Sequence, residues 1–153
     1  MATRMNWSTG QVAAAGIAGG AAEVFWIWLI AGAVGGESWQ ISRAVTATVA
    51  PVYADSALAP WFGLIIHFLL SFVLALAFAR TLVRHLYGAA LFAVAIGGLA
   101  LVWAFNFLVL LPLLNPAFTT LLPHPVTLMS KLLFGAAMAA VLVRGARRVG
   151  VVS

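Results

Sequence analysis

Four stretches of about twenty apolar residues follow one another along this chain, with only short polar breaks between them. A helix rises about 1.5 Å per residue, so each stretch matches the roughly 30 Å hydrocarbon core of a bilayer. Lipid offers the backbone no hydrogen-bond partners, so each stretch must satisfy its own N–H and C=O groups as a helix. The spans read from the sequence are about Val12 to Val34, Ala57 to Ala79, Gly88 to Leu111 and Pro125 to Val143. Gly35-Gly36 ends the first, Pro60 is tolerated in the first turn of the second, and the third is expected to stop before Pro112. Of the 153 residues, 65% are hydrophobic and 7% charged. A soluble domain carries roughly a quarter charged residues, so little is left for a solvated module. The expected fold class is all-α, an integral membrane four-helix bundle forming a single transmembrane domain over residues 1–153.

The net charge of +5 raises nucleic acid as a partner, but its distribution fits a membrane instead. With the N-terminus inside, Arg4, Arg80, Arg84, Arg144, Arg147 and Arg148 fall on the cytoplasmic side and Arg43 outside. That asymmetry gives an N-in, C-in topology. Trp7, Trp39, Tyr53, Trp61 and Tyr87 lie near the span ends, where interfacial aromatic anchors sit. Arg4 and Ala31-Gly32-Ala33 resemble parts of a signal peptide. The apolar stretch is longer than the usual 7–15 residues or so and carries Glu23, so a retained helix is expected.

The outer loop over 35–56 is the longest. Ser38 is placed to cap a short interfacial helix from Trp39 to Ala50, although Val45-Thr46-Ala47-Thr48-Val49 also alternates like a strand. Residues 112–123 form a proline-rich outer loop. Gly19-Gly20 and Val24 are echoed by Gly97-Gly98 and Val102. His67, Arg80 and Arg84 fall on Lys131, Arg144 and Arg148 at constant offset, as a parallel two-helix duplication would place them.

The candidate site consists of the polar residues inside the spans: Glu23, His67, Lys131 and Asn106, with Ser71 one turn after His67. An ionised side chain at mid-bilayer costs roughly 2.5–3.5 kcal/mol on insertion scales, so such residues face protein or a wet cavity. Counting at about 1.5 Å per residue, Glu23, His67 and Lys131 can share one layer, with Asn106 about 10 Å further out. Small residues accompany them: Gly16 and Gly20 on the first helix, Gly63 with His67 and Ser71 on the second, and Thr127, Lys131 and Gly135 on the fourth. Small residues let helices approach closely, so these stripes are expected at packing faces. Three readings are open. Glu23 and Lys131 form a buried ion pair, with His67 bonded to Ser71 or a carbonyl. Alternatively, Glu23 and His67 relay protons or ions, with Lys131 as a modulating charge. In the third reading Lys131 snorkels outward while Glu23 meets a partner subunit.

The sequence contains no cysteine, which excludes disulfides, thiolate metal sites and cysteine nucleophiles. No metal site is expected, because no carboxylate–histidine cluster is present. His85 and His124 lie at other depths than His67, so one protomer does not offer two axial ligands to haem b. Only a haem shared by two copies of His67 would fit. The G-x-S-x-G, H-E-x-x-H and P-loop patterns are missing, so no enzyme is expected. Trp26, Trp28, Trp103, Phe105 and Phe107 read as packing or lipid-facing surface.

Several segments resemble a group of short bacterial four-helix membrane proteins, some of which carry a sodium:proline symporter label. These segments are Gly19-Gly20-x-x-Glu23-Val24, Arg43-Ala44-Val45-Thr46-Ala47-Thr48-Val49, Ile66-His67, Trp103-Ala104-Phe105-Asn106-Phe107, Leu114-Asn115-Pro116-Ala117-Phe118 and Ser130-Lys131-Leu132-Leu133-Phe134-Gly135. The resemblance implies a bacterial membrane protein and carries over no functional residue. The expectation is a multi-pass protein of a bacterial inner membrane with both termini cytoplasmic, bound by lipid and not by nucleic acid. Its leading role is a non-enzymatic accessory or structural subunit, joined to a membrane-protein partner or forming a homo-oligomer through Gly16 and Gly20. The alternatives are a small transporter or proton or ion pathway through Glu23, His67 and Lys131, and a haem- or quinone-associated redox subunit.

Overall fold

The computed structural model describes residues 7–33, 37–82 and 85–149, with side chains through 146. Arg4, Val34, Gly35, Gly36, Arg84 and the side chains of Arg147 and Arg148 lie outside the described residues.

Four helices are long and apolar enough to cross a membrane: α1 (Thr9–Ala33), α3 (Ala59–Arg80), α4 (Gly88–Leu114) and α5 (His124–Val149). A shorter helix, α2 (Ser38–Val49), and 3-10 turns at Pro51–Tyr53 and Pro116–Thr120 fill the connections at one end. Phe25, Leu69, Val73, Leu101 and Phe105 are exposed on the outside, while equally apolar residues fill the centre. Helices apolar on every side suit a bilayer and not water.

α1 lies between α3 and α5, and α5 also packs along α4. The core is laid down at four-residue spacing: Leu91, Ala95 and Leu99 of α4 meet Phe134, Met138 and Leu142 of α5. Residues four apart share one helix face and form its packing ridge. This core fills the end that carries both termini, where Phe78 and Ala79 of α3 join it. The Phe78 ring sits where a Gly98 side chain would be, and so closes α3 onto α4 there.

Trp7 is part of this plug. It is buried, and its indole N–H donates to the Leu142 carbonyl at 2.9 Å. The expected role of Trp7 as an interfacial anchor is thus replaced by a core contact, because a hydrogen-bonded indole can be buried without loss. Trp39, Tyr53, Trp61 and Tyr87 remain exposed. Trp7→Phe keeps an aromatic ring in the core but removes the donor. It is expected to cost about 1 kcal/mol in reversible unfolding from mixed micelles.

Two sequence expectations are corrected. The third span continues past Pro112 to Leu114. A π turn over Asn106–Leu110 closes with the Leu111 N–H donating to the Asn106 carbonyl, and Pro112 then sits at the start of a new α-helical turn. Proline lacks the N–H and clashes with the carbonyl four residues back in an ordinary helix, but it is tolerated in a first turn. In the loop, α2 begins at Ser38 itself, with Glu37 at the cap position and no side-chain cap bond. The helix, not the alternating strand, forms because it docks on α3: Thr46 Oγ1 donates to the Ala59 carbonyl at 2.6 Å. The Ser42 carbonyl occupies the space where any side chain at Gly63 would have to go.

Candidate functional site

The sequence offers few groups that must avoid lipid, and the fold gathers most of them at mid-height of the bundle. Glu23 comes from α1 and Lys131 from α5, the two helices in most extensive contact. Lys131 Nζ lies 2.7 Å from each Glu23 carboxylate oxygen, and both side chains are largely buried, at 14% and 12% exposure. Ser130, one residue before Lys131, donates its hydroxyl to the Thr127 carbonyl at 2.7 Å and stands 3.4 Å from Glu23 Oε1. Ser130 is not among the residues singled out from the sequence. Its position beside Lys131, three residues after Thr127 on one helical turn, was the available signal. The ammonium also lies 5.8 Å from the Phe134 ring centre. An ion pair this short between two adjacent helices occupies Lys131 and leaves no outward reach for snorkelling.

His67 stands opposite, on α3. Its Nε2 lies 3.2 Å from the Gly20 carbonyl of α1. A carbonyl only accepts, so Nε2 carries the proton and Nδ1 is the second face of the ring. Nδ1 makes no hydrogen bond among the described residues. Ser71 is not the ring's partner; its hydroxyl donates to the His67 backbone carbonyl at 2.8 Å and fills the space beside Gly20. Ser71 is therefore a packing residue.

The stripes of small residues do set the close approaches, all of them within one chain. A side chain at Gly16 would come within 3.0 Å of the Phe72 Cα and the Ser71 carbonyl of α3. One at Gly135 would come equally close to the Ala95 carbonyl and Ile96 Cα of α4. The face that Gly16 and Gly20 present is covered by α3 of the same molecule. One pair matched by the apparent repeat differs in surroundings: Gly19 is buried against Phe134, whereas a side chain at Gly97 would meet nothing within 4 Å; Gly20 and Gly98 are both closely approached by neighbouring side chains.

Away from the termini the bundle is open inside. A cavity of about 480 Å³ lies between α3 and α4 and reaches α1, α2 and α5. Glu23, His67, Lys131 and Asn106 line it, with the smaller polar residues Ser42, Thr48, Thr127 and Ser130, and the rest of the wall is mainly aliphatic and aromatic. Asn106, at the start of the π turn, makes no side-chain hydrogen bond among the described residues. A π turn carries one extra residue and so rotates the side chains beyond it, a device common at functional sites. The roof is α2 together with the segment after Asn115. They are tied where the Asn115 amide donates to Thr48 Oγ1 at 3.0 Å.

The aromatic residues divide. Trp28, Trp39 and Trp61 form a ladder linking α1, α2 and α3, with ring centres 4.9 and 5.1 Å apart. Trp103 donates to Thr127 Oγ1 at 3.0 Å and stacks on Phe107, with His124 edge-on to both rings. His124 is thus held in an aromatic cluster, and His67 is the only described histidine on the cavity wall. Among the described residues no three His, Cys, Asp or Glu side chains come together as a metal site would need.

The chain matches no family model, no curated protein and no solved structure.

Proposed function

We propose that this chain is a non-enzymatic, multi-pass protein of a bacterial inner membrane that holds a small molecule inside the outer half of the bilayer, as a binding or transport protein. The observation that carries this reading is the cavity of about 480 Å³ with a mainly apolar wall and a small number of polar groups on it. Ligand sites are built this way: concave, mostly apolar, a few hundred cubic ångströms in volume and given direction by a handful of polar atoms. The distribution of basic residues supports cytoplasmic termini. The packed end then faces inward and the cavity outward.

The accessory-subunit role rests on the scarcity of surface outside the spans. The glycine face on which self-association would depend is already occupied by α3. An empty space between helices is a poor feature for a purely structural subunit, since lost contacts cost stability.

The test is native mass spectrometry of the tagged chain released from mild detergent. The expected spectrum contains the chain with a non-covalent small-molecule adduct. The adduct is expected to disappear in Val45→Trp, which fills the cavity from α2, while the melting profile is kept. A chain that never carries an adduct and travels only with a larger membrane complex would reverse the order of the two roles.

A further inference from the structure

The cavity has a particular shape and chemistry, and together they identify the class of molecule it takes. At the end carrying the termini, Phe78 against Gly98 closes α3 onto α4. Towards the other end the cavity lies between these two helices. Leu70 of α3 and Leu110 and Leu114 of α4 line the cavity and are exposed, at 56%, 36% and 59%, as is Val49 at the end of α2. The mouth therefore opens sideways between α3 and α4, where lipid chains lie. At the outer end, α2 and the segment after Asn115 lie across the cavity and are joined at Thr48. An occupant arrives from the bilayer and must be apolar over most of its length.

The polar groups are selective as well. The two charges of the site satisfy each other, since Lys131 Nζ is within 2.7 Å of both Glu23 oxygens. A ligand with a net charge has to break that pair or remain uncompensated in a low-dielectric setting, and both are costly. The hydrogen-bonding groups left unengaged by the described residues are uncharged: the Asn106 amide, which donates and accepts, His67 Nδ1, and the Ser42 hydroxyl of α2.

Resting on the binding role proposed above, we propose that the cavity takes a single-chain amphiphile with an uncharged, hydrogen-bonding headgroup, which enters from the outer leaflet between α3 and α4. The headgroup lies against Asn106 and His67, and the chain runs back along the leucine-lined mouth.

The experiment uses the full chain in nanodiscs and four terminally brominated ten-carbon probes: the primary amide, the alcohol, the carboxylate and the trimethylammonium. Bromine quenches indole fluorescence on contact, and Trp28 is on the cavity wall. Trp28→Phe gives the background from the other tryptophans. The expected result is saturable quenching by the amide and the alcohol. The carboxylate and the ammonium should bind at least tenfold more weakly, and Asn106→Leu should weaken the amide about tenfold. Gel filtration reports whether Asn106→Leu is folded; if it is not, the headgroup series on the unaltered chain decides. Equal or tighter binding of either charged probe overturns the uncharged-headgroup inference and leaves the cavity as a ligand site. Amide binding unchanged in a folded Asn106→Leu overturns it too. Failure of all four probes, together with a chain that carries no adduct in native mass spectrometry, overturns both the inference and the binding role.

Discussion

Glu23→Gln alone is expected to destabilise the bundle by about 3–5 kcal/mol, whereas Glu23→Gln combined with Lys131→Met should lie within about 1 kcal/mol of the unaltered chain. The first change leaves the Lys131 ammonium without its counter-charge, in a site where it is only 14% exposed. A buried charge that loses its partner retains its whole desolvation cost and gains nothing in return. Removing both charges removes that cost as well, and Met is close to Lys in length and carries no charge. The measurement is a double-mutant cycle, read by reversible unfolding in mixed micelles. A strong favourable coupling is the expected outcome. Single changes that simply add would mean that Lys131 and Glu23 do not meet. The same four proteins separate structure from function. If the pair also shapes the ligand site, the double variant folds but loses its adduct in native mass spectrometry.

Gly16→Leu is expected to cost about 3 kcal/mol, while Gly97→Leu should leave stability unchanged or slightly raised. Both glycines lie within long apolar helices. Their surroundings differ. The first carbon of a side chain at Gly16 would already stand 3.0 Å from backbone atoms of α3, and backbone cannot rotate away as a side chain can. At Gly97 the same carbon meets nothing within 4 Å, so leucine there faces outward and improves helix propensity. Thermal melting followed by circular dichroism, with size-exclusion mass measurement alongside, distinguishes the two. If Gly16 served self-association, its leucine variant would lower the assembled mass and leave the melting of the monomer alone. Packing inside the chain predicts the opposite pattern.

Much of the architecture is legible in the sequence. Span length against bilayer thickness places the four long helices to within a few residues, since uninterrupted apolar stretches of this length have no other arrangement in lipid. The cost of burying charge identifies Glu23, His67, Lys131 and Asn106 as a group, and all four line the cavity. Glycine and serine stripes mark the packing faces, because close approach needs small side chains in lipid as it does in water.

The partners along those faces are a tertiary matter. Membrane helices are apolar all round, so they lack the one-sided pattern that tells a soluble helix where its core lies. Nothing in the composition of α1 places it between α3 and α5, or turns Gly16 towards α3 and not towards a second copy. The extension of α4 through Pro112 is hidden, because proline forbids an ordinary turn and a π turn makes room for it only in three dimensions. The loop helix α2 is ambiguous in sequence for a related reason. Its alternating Val-Thr-Ala-Thr-Val suits either backbone, and docking decides: Thr46 reaches the Ala59 carbonyl, and the bare backbone at Gly63 lets Ser42 come close. The sequence alone determined how many helices are long and apolar enough to span, roughly where they end and which polar groups cannot face lipid, because these follow from transfer energies along one chain. The tertiary structure decided that Glu23 meets Lys131, that His67 turns to Gly20 and that an open space remains beside them, because these depend on which helices are neighbours.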